Sequence, residues 1–133
     1  MFGFKLHAKT DTDLGLIQDL EVTTASVHDS RVHLYKEGEV VYGDRGYFGV
    51  APRGFDSTMG RRERGRSLGI RDRLRNRRIS RRRAPGERPF AAIKRVFDAG
   101  HVLMTMLPKV QVKMVFACLC FNFVLLGTLR AYP

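Results

Sequence analysis

The stretch from Arg61 to Arg95 narrows most what this chain can become. It holds 15 Lys or Arg against only Glu63, Asp72 and Glu87. Twelve of those arginines lie between Arg61 and Arg83, where Leu68, Ile70, Leu74 and Ile79 are the apolar residues. Such a segment packs weakly and is too dense in charge for an ordinary solvated face. A localised block of one sign needs a polyanion or mobile counterions beside it. The guanidinium fork matches phosphate geometry, which makes nucleic acid the leading partner. The affinity it supplies depends on salt and hardly on base sequence. A disordered, solubilising loop is the plainer reading of the same residues.

The rest of the chain is close to neutral. The formal net charge of the 133 residues is +11, and outside the block nine basic residues face ten acidic ones. At 44% hydrophobic the chain can build a core, which excludes disorder throughout. The length suits one domain or part of one. Cys118 and Cys120 make no disulfide framework and lack further Cys or His at zinc-ligand spacing. They read as small buried side chains. Met1 to Asp13 has neither an apolar h-region nor a cleavage site, so the cytoplasm is the expected compartment.

Periodicity sketches the elements. Phe2, Phe4 and Leu6 alternate, as do Leu20 and Val22, with Asp11, Asp13 and Gly15 between them. That predicts a β-hairpin with the two acids in its turn. Ser26 to Glu37 can hold a helix, with Asp29 and Ser30 suggesting its N-cap. Glu39 to Asp44 reads as a buried strand ending at an acid, and Arg45 to Gly49 as a glycine-rich turn. Pro85-Gly86 should end the arginine segment, which as an insert covers 59–86. Glu87 then opens a helix with Pro89 in its first turn, Phe90, Ile93 and Phe97 on one face, and Gly100 as its stop. Pro108 begins a last, apolar helix over 109–130. Its uncharged run from Met114 to Leu129 contains Asn122 and falls short of the roughly 20 apolar residues of a membrane span. A buried core helix is therefore expected in preference to a membrane anchor.

The constellation with chemical content is Asp44 with Glu87, one acid at a strand end and one at a helix start. Two carboxylates in one cleft offer hard oxygen ligands to a divalent metal, the setting of phosphodiester cleavage. Lys94 follows Glu87 by seven residues, two helical turns, and Arg83 precedes it by four. Both can reach a phosphate near such a metal. The plainer alternative is that Asp44 caps a turn and that Glu87 complements a helix dipole. His7, His28, His33 and His101 are widely spaced and read as structural, His28 with Asp29 as turn and cap residues. Tyr47 and Phe48 can stack on a base or pack in the core.

Several blocks resemble the DDE transposases of insertion sequences, the type-four/five group. Met1 to His7 is similar to that family's strand leading into a Gly-Phe-Lys-x-His segment, and Thr23 to Ser30 to its Thr-x-Ala-x-x-His-Asp stretch. Tyr42-Gly43-Asp44-Arg45-Gly46-Tyr47 looks like the strand and turn that carry the second catalytic Asp. Arg83, Glu87 and Lys94 match a signature of Tyr, two residues, Arg, three residues, Glu, six residues and Lys, with Ser80 standing where that signature has Tyr. Ile93 to Phe97 and the apolar helix with Asn122 add to the likeness.

The resemblance implies an α/β fold, a ribonuclease H-like mixed sheet with flanking helices, here lacking the first central strand. It implies DNA transposition with Mg2+ or Mn2+ held by Asp44 and Glu87. Arg83, Lys94, Arg77, Arg78, Arg81 and Arg82 would contact DNA. Asp11, Asp13 and Asp19 match none of the catalytic positions by order, so the first catalytic Asp has no counterpart here. The expectation is part of a catalytic domain that binds DNA without cutting it alone. Its expected partners are double-stranded DNA at element ends and an upstream transposase segment or a second copy, with no membrane. The rival reading is a non-catalytic arginine-rich nucleic-acid-binding protein. A membrane-associated protein anchored by the last helix is a third.

Overall fold

The computed structural model describes residues 3–42, 55–57, 59, 65, 67–100 and 102–132. The chain divides into two compact units, one of Met1–Val27 with Pro85–Pro133 and one of His28–Ala84. The architecture is mixed α/β.

In the first unit, β1 (Phe4–Thr10) pairs antiparallel with β2 (Ile17–Thr24), Leu6 opposite Val22 and Ala8 opposite Leu20. The turn is built by Asp11, whose Oδ2 accepts the Leu14 N–H at 2.7 Å and whose own N–H donates to the Leu16 carbonyl at 2.8 Å. Gly15 sits in the left-handed region at φ 77°, where a side chain would be strained. The hairpin is the one expected, with Asp11 as its organiser. Its other face holds a buried polar pair, His7 Nε2 and Thr23 Oγ1, 2.9 Å apart.

A lone hairpin is marginal in water. This one is covered by α2 (Leu107–Ala131), which lies mainly along β2. Pro108 occupies its first turn, as the sequence predicts. Val110, Met114, Ala117 and Cys118 recur at helical spacing and are buried with Ile17, Val22, Ile93 and Ala99. Asn122 ties this helix to the hairpin through both backbone groups of Ile17. The expectation of a buried helix holds for this face only. Phe116 and Phe123 on other faces are 62% and 70% exposed, and Val112, Leu119 and Val124 are exposed too. By length and composition α2 is also apolar enough to cross a membrane. Cys118 is buried and Cys120 is exposed, so the expectation of two buried thiols fails for Cys120.

α1 (Ile70–Val96) corrects the reading of Pro85-Gly86 as a break and of Glu87 as a helix start. The helix runs through all three and through Pro89. Each proline removes one helical N–H donor and is intrinsically costly there, about 3 kcal/mol. Packing in the first unit offsets that cost. Pro89 and Ile93 are fully buried, and Phe90 and Phe97 are half-buried. Gly86 lies so close to β1 that a Cβ there would stand 2.7 Å from Thr10 Oγ1. Its glycine serves close approach, not termination. At Gly15 the space is ordinary, since a Cβ would meet the Pro85 carbonyl at 3.7 Å, and there glycine answers the positive φ. The helix ends at Val96, not at Gly100. Asp98 takes the left-handed conformation at φ 46°, and the Ala99 N–H reaches back to the Ile93 carbonyl at 3.2 Å.

The second unit begins at His28, and Ser26 to Glu37 forms no α-helix. A single 3-10 turn, Asp29–Arg31, is capped by His28, whose Nδ1 accepts the Ser30 N–H at 3.2 Å. Val27 and Leu34 stand two helical turns apart, but Ser30 and Arg31 occupy the face between them, so no continuous apolar stripe exists to hold a longer helix. His28, not Asp29, is the cap. His33 Nδ1 lies 2.8 Å from the Tyr35 hydroxyl. β3 (Val40–Val41) pairs parallel with β4 (Phe55–Asp56), and the Ser57 N–H extends the ladder to the Val41 carbonyl at 2.9 Å. The expected strand is therefore present but short, and Val40 is exposed instead of buried.

Candidate functional site

The arginine block becomes a helix from Ile70 onward. Arginine is a good helix former, and Asp72 in the first turn suits the positive end of the dipole. Like charges four residues apart oppose it by a few tenths of a kcal/mol each, about 0.2–0.5. Arg71/Arg75, Arg73/Arg77, Arg77/Arg81 and Arg78/Arg82 are such pairs. Within the second unit Ile79 and Asn76 are buried, while Arg71, Arg73, Arg75, Arg77, Arg78, Arg81 and Arg82 are exposed.

Arg71, Arg75, Arg78 and Arg82 follow one another at intervals of four, three and four, which sets them in one stripe along α1. Together with Arg81 and Tyr42 they line an open cleft of about 970 Å³ in the second unit. Leu74 and Ile79 give it an apolar part, and Ser57 adds a hydroxyl. Arg77 is exposed and does not line this cleft. The arrangement can gather phosphate groups along a helix and offers one aromatic ring beside them. Of the expected DNA contacts, Arg78, Arg81 and Arg82 are thus brought together. Arg83 is half-buried, its Nη1 donating to Met59 Sδ at 3.8 Å. Sequence reasoning missed Tyr42 as a neighbour of the arginines. The four-three-four spacing was the available signal for the stripe.

Glu87 and Lys94 are exposed on α1 in the first unit, seven residues apart and hence on one side of the helix. Asp44 lies outside the described residues, as do Tyr47, Phe48 and His101. Among the described residues no group of three or more His, Cys, Asp or Glu stands close enough to hold a metal ion. The described carboxylates therefore do not by themselves make a metal centre. The remaining histidines have structural partners, His7 with Thr23, His28 with Ser30 and His33 with Tyr35. Burial pushes the Cys118 thiol up from 9.0 to about 11, which makes it a poor nucleophile.

Comparison with known proteins adds the decisive observation. The family model described as the transposase DDE domain matches residues 1–123. No curated protein and no solved structure gives a match. The match takes in the hairpin, the arginine helix and most of α2, so the chain belongs to the transposase DDE domain family.

Proposed function

We propose that the chain serves DNA transposition as part of a ribonuclease H-like catalytic domain. The family match over residues 1–123 carries this reading, and the arginine-lined helix supports it. Asp44 and Glu87 are the acids proposed to hold Mg2+ or Mn2+. In phosphodiester chemistry such a metal activates water and stabilises the leaving oxygen. Lys94 and Arg83 steady phosphates beside Glu87, and Arg77, Arg78, Arg81 and Arg82 contact DNA. In this reading Asp11, Asp13 and Asp19 do not serve as the first catalytic Asp. By itself the chain binds DNA without cutting it, and cleavage requires a further acid from an upstream segment or a second copy. The proposed compartment is the cytoplasm.

The test is binding and cleavage of duplex DNA by the purified chain with magnesium or manganese. Salt-sensitive binding without cleavage is expected. Metal-dependent cleavage lost in Glu87→Ala would overturn the inactivity, and no binding at low salt would overturn the DNA reading. A second reading is a non-catalytic arginine-rich binder, supported by the arginine stripe of α1, which can gather phosphates whether or not the acids hold a metal. Calorimetry separates the two: metal binding that disappears in Asp44→Ala and Glu87→Ala supports the first.

A further inference from the structure

The arginines of α1 do not all face the same surroundings. Arg71, Arg75, Arg78 and Arg82 line the cleft with Tyr42, whereas Arg73 and Arg77 are exposed away from it. The stripe from Arg71 to Arg82 runs 11 residues, about 16 Å of helix. Among the described residues it offers one row of cations.

The size and chemistry of the cleft decide what enters it. Its 970 Å³ lies at the top of the range of small-ligand clefts, about 300–1,000 Å³. A short run of a single nucleic-acid strand fits such a space. A duplex is met the other way round, by a helix entering its major groove about 12 Å wide. The lining points to the same occupant. Proteins that hold single strands pair a cationic groove along the backbone with aromatic platforms for bases. Tyr42 is half-buried and lines the cleft, and Leu74 and Ile79 supply apolar surface beside it. An inorganic anion would need the arginines but has no use for the ring or the aliphatic wall.

We propose that this cleft binds one strand of DNA, with Arg71, Arg75, Arg78 and Arg82 along its phosphates and Tyr42 under a base. The inference rests on the DNA reading of α1 and assigns the cleft a substrate form that differs from the duplex. Arg73 and Arg77 remain for the duplex.

Fluorescence anisotropy with the full chain tests it, using a labelled oligothymidylate of about 12 nucleotides and a labelled duplex of about 20 base pairs. Stacking on one aromatic ring contributes about 1–3 kcal/mol per base. Tyr42→Ala should therefore weaken single-strand binding roughly tenfold and leave duplex binding unchanged, and Tyr42→Phe should restore it. Arg75→Gln with Arg78→Gln should weaken the single strand more than the duplex. Arg73→Gln with Arg77→Gln should do the reverse. Where circular dichroism shows Tyr42→Ala to be unfolded, Tyr42→Leu against Tyr42→Phe gives the same comparison at preserved bulk. Equal single-strand affinity with and without the ring overturns the proposal. Duplex binding without single-strand binding overturns it while the DNA reading stands, and binding of neither DNA overturns both.

Discussion

Asn122 holds both backbone groups of Ile17, its Oδ1 accepting the N–H at 2.9 Å and its Nδ2 donating to the carbonyl at 2.8 Å. The two residues lie 105 positions apart, and the contact joins the first residue of β2 to α2. Ile17 is buried and Asn122 half-buried, so water reaches the two groups poorly when the amide is removed. Leaving a buried donor or acceptor unpaired costs about 1–3 kcal/mol. Asn122→Ala should destabilise the chain by about 2–3 kcal/mol, read as a lowered urea midpoint. Asn122→Asp keeps the acceptor but sets a carboxylate against the Ile17 carbonyl. A protonated carboxyl can donate there, so the folded state should raise its pKa. Its deficit against the parent chain should grow as pH rises through the carboxylate range. A deficit independent of pH would contradict the bidentate geometry.

Gly86 gives a sign-reversal experiment. An added Cβ would stand 2.7 Å from Thr10 Oγ1. Relieving that overlap should outweigh the helix preference of alanine, which favours Gly86→Ala by about 1 kcal/mol. Gly86→Ala should be net destabilising by about 1 kcal/mol in the parent chain. In a Thr10→Ala background the same change should stabilise. A double-mutant cycle by thermal melts measures the coupling, and additive effects would show that β1 and α1 do not press on each other there.

The two thiols should part in chemistry. Cys120 is exposed, whereas Cys118 is buried with its pKa pushed up to about 11. Iodoacetamide near pH 8 should label Cys120 in the folded chain and Cys118 only after denaturation, as read by mass spectrometry. The folded state resists forming the Cys118 thiolate. Its share of stability is therefore intact below pH 9 and declines as pH climbs toward 11.

The arginine helix should make duplex binding strongly dependent on salt. The logarithm of the affinity falls with the logarithm of salt by about 0.9 for each phosphate neutralised. Arg77→Gln with Arg81→Gln should lower that slope by about two. An unchanged slope would remove those side chains from the phosphate contacts.

The hairpin and the last helix were legible because each obeys a local rule. Alternation marks β1 and β2, Asp11 and Gly15 mark their turn, and Pro108 marks the start of α2. Pro85-Gly86 misled because breaker rules describe an isolated helix. Here buried Pro89 and Ile93 and the approach of Gly86 to Thr10 hold the segment helical. The stop at Asp98 and the cap at His28 were obscured by better-known glycine and Asp signals nearby. Composition alone shows that α2 is apolar but not which of its faces is covered, hence the exposure of Phe116 and Phe123. Of the site, the arginine stripe was readable from spacing. Tyr42 was not, since its place beside that stripe depends on contacts distant in sequence.

The prolines in the second half of α1 have a consequence for the order in which the chain assembles. Pro85 and Pro89 leave the carbonyls of Arg81 and Pro85 without their helical donors. That half of the helix has little tendency to form before it has a surface to rest on. The β1–β2 hairpin needs only its own short turn, and hairpins close in about 1–10 μs. The hairpin is thus the template and the proline-bearing turns the late arrivals. Substitutions at Gly86 or Pro89 should show mainly in how fast the native state comes apart, and those in the Asp11 turn in how fast it forms.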